Sequence, residues 1–212
     1  MDSNFWHQLW ESNDIGFHQR AVNPLLAEYF NTLSLADSSR LFIPLCGKTL
    51  DIAWLLSKGY RVAGAELNKP AVEQLFSELG VEPRVSKLGK LDCYSAENID
   101  IFVGDIFDLT AEVLGDVDAI YDRAALVALP EAMRKHYREH LLKITNIAPQ
   151  LLLTFEYDQT VMQGPPFSIS ANDIKRYYSD IYTLSLLKQI EVPGGLKGQC
   201  AASETIWLLS AI

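Results

Sequence analysis

The sequence predicts an α/β fold, a mostly parallel sheet with helices on both faces. Three observations predict it. Short apolar runs alternate with helical patterns from residue 40 onward, the β-α-β-α order of a parallel sheet with crossover helices. Polar residues or glycines stand at the ends of five of the apolar runs. The chain closes on two strand patterns joined by Pro193-Gly194-Gly195, a hairpin signal that sets an antiparallel pair on one edge of the sheet.

The elements follow in order. Phe5, Trp6, Leu9 and Trp10 recur at helical spacing behind the capping candidates Asp2, Ser3 and Asn4. A second helix is expected from about Asn23 to Leu35, with Pro24 in its first turn and Leu25, Leu26, Tyr29, Phe30 and Leu33 as its apolar stripe. Arg40 to Leu45 is a buried strand, followed by Cys46-Gly47-Lys48-Thr49 and a helix over about 50–58 that Gly59 ends. Arg61 to Glu66 is the second strand, and Pro70 opens a helix to about Leu79. Residues 84–98 are more polar and read as an insertion with hairpin character. Strands are expected at 99–103, 117–121 and 151–155, with a helix over 130–145 between the last two. Ser170 caps a helix through Tyr178, and strands over 183–192 and 202–209 finish the chain. No linker, repeat or low-complexity tract divides the 212 residues, so one domain is expected.

Composition narrows the function. A net charge of -9 repels phosphate backbones, which argues against nucleic acid or an anionic membrane as partner. No apolar run approaches the roughly 18 residues of a membrane span, and the amphipathic, acidic N-terminus lacks the pattern of a signal peptide. Cys46, Cys93 and Cys200 are far apart and read as reduced thiols, so a cytoplasmic protein without a metal site is expected. His136 and His140 share a helix face but lack a third ligand, and read as a solvated face.

Ligands of open parallel sheets sit at the carboxyl ends of the strands. Those ends here are Leu45-Cys46-Gly47, Glu66, Asp105-Ile106, Asp122-Arg123 and Glu156-Tyr157-Asp158. Glu66 lies 21 positions after Leu45, the place where a carboxylate accepts hydrogen bonds from a ribose diol. The alternative is a solvated loop carboxylate, and the spacing does not separate nicotinamide, flavin and adenosylmethionine cofactors. The first turn has one glycine, Gly47, and neither G-x-G-x-x-G nor a triphosphate loop, which disfavours a pyrophosphate. Arg123 is placed to pair with a carboxylate, either of a cofactor or of the protein at Asp105 or Asp122. Trp6 and Trp10 are core residues or part of a lid over the cleft.

Trp6-(3)-Trp10 with Phe17-His18-Gln19, Phe42-Ile-Pro-Leu-Cys-Gly-Lys48, Ile106-Phe-Asp-Leu109, Tyr121-Asp-Arg-(1)-Ala-Leu-Val-Ala128 and Gly164-Pro-Pro-Phe167 together resemble the thiopurine S-methyltransferase family in its bacterial form. The resemblance implies a Rossmann-like class I methyltransferase: a seven-stranded, mostly parallel sheet with a C-terminal antiparallel hairpin. It implies S-adenosyl-L-methionine as methyl donor, S-adenosyl-L-homocysteine as product, a small thiol as substrate and a monomer. By motif, Trp10, Leu45, Glu66, Ile106 and Arg123 match cofactor contacts. Glu66 would hold the ribose, Leu45 the methionine end through its backbone, and Ile106 the adenine. Trp10 would close the site from above, within an N-terminal helical lid over 1–36. Arg123 would also favour a substrate thiolate or order a water beside it. Phe17 and Pro166 fall in motifs on the substrate side. The family's basic residue near 191–200 has only Lys197 as a counterpart here. The competing readings are a nicotinamide-dependent oxidoreductase and a non-catalytic S-adenosylmethionine-binding module.

Overall fold

In a computed structural model the described residues are 3–12, 15, 18–123 and 125–212. Nine strands form one sheet: β1 Arg40–Pro44, β2 Arg61–Glu66, β3 Arg84–Leu88, β4 Leu91–Ala96, β5 Ile99–Val103, β6 Ala119–Asp122, β7 Gln150–Tyr157, β8 Tyr182–Glu191 and β9 Ala202–Ala211. Their order across the sheet is β3-β4-β5-β2-β1-β6-β7-β9-β8. The five central strands β5, β2, β1, β6 and β7 run parallel, so their carboxyl ends share one rim. The final strand β9 inserts antiparallel between β7 and β8.

The count of nine corrects the expected seven. The polar stretch after residue 84 does form a hairpin, and it does not stand apart from the sheet. Its second arm pairs antiparallel with β5 from Asp92↔Val103 to Ala96↔Ile99. The remaining strands keep the expected arrangement, with the hairpin added outside β5.

Among the described residues there are eight α-helices: α1 Ser3–Glu11, α2 Pro24–Tyr29, α3 Leu50–Ser57, α4 Lys69–Leu79, α5 Ala111–Leu114, α6 Ala125–Ala128, α7 Glu131–Ile144 and α8 Ala171–Tyr178. The helix expected over 23–35 ends early as α2, and Phe30–Leu33 tightens into a 3-10 turn. Strand alternation divides the core into two layers. Leu41 and Ile43 of β1 face the cluster that holds Leu26, Ile52, Leu55 and Phe76 of the α2, α3 and α4 side. Phe42 faces the cluster that holds Tyr137, Leu141, Ile174 and Tyr178 of α7 and α8. Both faces are covered, which is why the central strands read as unbroken apolar runs. Each fully buried side chain of this size contributes about 1.5–3 kcal/mol by leaving water.

Side-chain caps fix the helix starts beside the rim. Thr49 caps α3 and Asn68 caps α4, each a few residues beyond the end of a parallel strand. The Asn23 side-chain oxygen accepts from the Leu25 and Leu26 N–H groups at the start of α2. Ser170 and Asp173 form a reciprocal capping box on α8.

Candidate active site

The turn between β1 and α3 is held in a conformation that side chains resist. Leu45 has φ +48° and Gly47 φ +53°. A non-glycine residue there costs about 1–2 kcal/mol, and such strain persists only where surrounding contacts impose it. The Cys46 N–H donates to the Ala65 carbonyl at 3.0 Å, pinning the turn to β2. Gly64 makes this close approach possible, because a Cβ there would lie 2.8 Å from Cys46 Sγ. A Cβ on Gly47 would stand 3.1 Å from Trp10 Cζ2, so the buried Trp10 ring lies against the turn. His7 Nδ1 and Asn68 Nδ2, 3.1 Å apart, tie α1 to the neighbouring loop.

Glu66 ends β2 and is buried rather than solvated, with 7% of its surface exposed. Its two oxygens accept from the Gly47 N–H at 2.7 Å and the Asn68 N–H at 2.8 Å. Burial pushes its carboxyl above the ordinary value, while these backbone donors pull it down. A carboxylate oxygen offers two lone pairs, so each keeps capacity for a ligand hydroxyl. Glu66 therefore does two jobs: it locks the turn and presents an acceptor at the rim.

Beside it lies a cleft of about 100 Å³. It is lined by Leu45 and Leu67 of the strand-end turns, by Asp105, Ile106 and Phe107, and by Leu129 and Met133. Asp105 caps a 3-10 turn, Ile106–Asp108, through its side chain and the Phe107 N–H. His140 Nε2 lies 2.8 Å from the Ile106 carbonyl, and Phe107 stacks on His136 with ring centroids 4.5 Å apart. Of the face read as solvated, His136 is exposed as expected, while the half-buried His140 braces the cleft. Burial lowers the His140 pKa, favouring a neutral ring whose Nε2–H donates to that carbonyl.

Arg123 reaches back over the β1–α3 turn. Its Nη1 donates to Thr49 Oγ1 at 3.2 Å and to Asp51 Oδ2 at 3.4 Å. This corrects the expected internal partners: the acid is Asp51, not Asp105 or Asp122. Asp122 turns inward, fully buried, and accepts from Tyr137 Oη at 2.7 Å and from the Ala125 and Leu126 N–H groups that begin α6. Burial raises its carboxyl to about 6. Asp105 faces the cleft on the other side of β1.

Pro166 and Lys197 come together at the β7 end of the rim. Tyr157 Oη donates to the Pro166 carbonyl at 2.6 Å, and Lys197 Nζ donates to the Pro165 carbonyl at 2.8 Å. Tyr157, Met162 and Leu196 form a small core of their own under these loops. Phe17 lies outside the described residues. Trp10, Leu45, Glu66 and Ile106 thus converge on the β5-β2-β1 half of the rim, Arg123 bridges from β6, and Pro166 and Lys197 occupy the far half. Reading the sequence missed Asp51 and His140. An i, i+4 histidine pair reports a shared face and nothing of what covers it, and an aspartate in a first helical turn reads as an ordinary dipole partner. A wider groove of about 370 Å³ involves Phe76, Val81 and Tyr94, and none of the residues that line it belongs to a parallel strand.

Comparison with known proteins agrees with this architecture. The sequence model of the family "Thiopurine S-methyltransferase (TPMT)" matches residues 1–205. A thiopurine S-methyltransferase of Xanthobacter autotrophicus is 52% identical over 210 residues, 99% of each chain. One of Teredinibacter turnerae is 51% identical over 210 residues, 99% of this chain and 98% of the other. The crystal structure of a SAM-dependent methyltransferase from Anabaena variabilis shares the fold at TM-score 0.65 and 16% identity, covering 99% of this chain and 95% of that one. The polar rim, the strained turn with its buried glutamate and the order of the motifs thus find their place: the chain belongs to the thiopurine S-methyltransferase family.

Proposed function

We propose that this protein methylates the sulfur of thiopurines and related aromatic or small thiols, with S-adenosylmethionine as donor and S-adenosylhomocysteine as product. The observation that carries the reading is Glu66, a buried carboxylate with spare acceptor capacity, set between a strained single-glycine turn and a largely apolar cleft. That combination fits an adenosyl group. A pyrophosphate would instead call for several glycine amides, and a nicotinamide cofactor is disfavoured for that reason.

When bound, S-adenosylmethionine supplies an electrophilic methyl carbon on a sulfonium. Glu66 would accept from the ribose hydroxyls, and Ile106 with Leu129 and Met133 would pack on the adenine. The Leu45 backbone would meet the methionine end, with the Arg123 guanidinium supplying positive charge there. Trp10, seated on Gly47, and the rest of residues 1–36 would act as a lid that excludes water. Methyl transfer forms a carbon–sulfur bond to the acceptor as the bond to the donor sulfur breaks, and the acceptor proton leaves to water. An aromatic thiol is acidic enough to ionise near neutral pH, so positioning is the main task of the side chains. Arg123, directly or through a water, would favour the thiolate. Pro166, Lys197 and Phe17 would stand on the acceptor side. Selenium and tellurium nucleophiles are soft like thiolates and belong to the same proposed substrate class. The acidic surface suits action on small molecules rather than on phosphate backbones, and a cytoplasmic monomer is the proposed form.

The test is transfer of a radiolabelled methyl group to 6-mercaptopurine and to simple thiols, with titration calorimetry of S-adenosylhomocysteine and NAD alongside. Labelled thioether and binding of S-adenosylhomocysteine alone are expected. Binding without transfer would favour a non-catalytic module, and a preference for NAD would overturn the assignment.

A further inference from the structure

Asp51 is the one carboxylate among the described residues shown to touch Arg123. It sits in the first turn of α3, two residues past the Thr49 cap, and is fully buried. A buried carboxylate persists only when donors surround it. Three groups supply them. The Asn23 N–H at the head of α2 donates to Oδ1 at 2.8 Å. Tyr121 Oη of β6 donates to Oδ2 at 3.0 Å, and Arg123 Nη1 to the same oxygen at 3.4 Å. Thr49 Oγ1 accepts from Arg123 at 3.2 Å, so the guanidinium is held against the turn by two acceptors of one helix start. Only 15% of the Arg123 side chain is exposed, and a long side chain so covered has surrendered most of its rotamers before any ligand arrives.

We propose that Asp51 is a positioning residue: it holds the Arg123 guanidinium at the β1–α3 turn, preorganised for the carboxylate of the donor's amino-acid end. The inference rests on the proposed role of Arg123. The same carboxylate anchors the head of α2 through Asn23, so this helix of the 1–36 segment is fixed to the part of the site that grips the donor.

The experiment compares two ligands by calorimetry. S-adenosylhomocysteine carries the amino-acid end, and 5′-methylthioadenosine lacks it. Asp51→Asn keeps shape but faces the guanidinium with an amide. It is expected to weaken S-adenosylhomocysteine by about tenfold, in line with loss of one charge-assisted hydrogen bond, while leaving 5′-methylthioadenosine unchanged. On an Arg123→Ala background the same substitution is expected to cost nothing further, the signature of two groups acting as a unit. Tyr121→Phe removes another donor from Asp51 without touching Arg123. It reports structural damage and should lower the melting temperature while keeping the ratio of the two affinities. If Asp51→Asn weakens both ligands equally, or adds its full cost to Arg123→Ala, the inference is overturned. If Arg123→Ala itself keeps the ratio, the reading of Arg123 falls first and takes the inference with it. Should Asp51→Asn fail to fold, Asp51→Glu, which keeps the charge but displaces it by one methylene, goes through the same comparison.

Discussion

The two halves of the rim are built differently. On the β5-β2-β1 side the groups are set by backbone: a left-handed Leu45, a Gly47 that admits an indole, and two N–H groups closing on Glu66. On the β7-β9 side, two loops lean on each other through a tyrosine hydroxyl and a lysine reaching single carbonyls, over a core of three buried residues. The first half resists deformation because any shift breaks several buried bonds at once. The second can change residues at small cost.

Four substitutions sharpen the contrast, in descending order of expected effect. Glu66→Ala removes the acceptor and strands two backbone donors. Losing two charge-assisted bonds is worth about 4 kcal/mol, or roughly 1,000-fold in S-adenosylhomocysteine affinity by calorimetry. Asp122, where the halves meet, governs a pH dependence. Its folded value of about 6 exceeds the usual aspartate value of about 3.9. The native state thus retains a proton that the unfolded chain has lost. Stability from this group is full below about pH 4 and falls as pH rises through 6, by about 3 kcal/mol in all. Asp122→Asn lacks that slope, so urea unfolding should show the variant gaining on the parent by about this amount between pH 4 and pH 7. Gly47→Ala puts a methyl in a left-handed residue against Trp10 and should cost about 1–2 kcal/mol in stability, with weaker S-adenosylhomocysteine binding. Lys197→Ala is expected to alter only the KM for the thiol, by a few-fold at most, leaving S-adenosylhomocysteine affinity intact. An equal loss of donor binding in Lys197→Ala would break the division between the halves.

The same division explains what could be read from the residues. The span of β5 and the start of β1 emerge from apolar runs, and Glu66 from its distance to Leu45, because each depends on contacts close along the chain or on a repeated βαβ geometry. The partner of Arg123 does not. Asp122 and Asp105 are nearer in sequence, yet the acid is Asp51, 72 residues away, brought in by the crossover of α3. The short helix α6 hides in an apolar run, and its signal is Asp122, an acid three residues ahead of Ala125 that caps it from the end of a strand. The bracing of Ile106 by His140 needs α7 to cross over β5's loop, which no local pattern announces.

The hairpin added outside β5 also has a bearing on solubility. Without β4, the strand that delivers Asp105 and Ile106 would border water and expose a row of unmet backbone groups, an invitation for a second sheet to dock. The extra arms move that frontier outward to β3, whose residues are all exposed and include the cations Arg84 and Lys87. Strand addition there would crowd those charges, which disfavours it, while the Asp105–Ile106 side of the sheet stays interior.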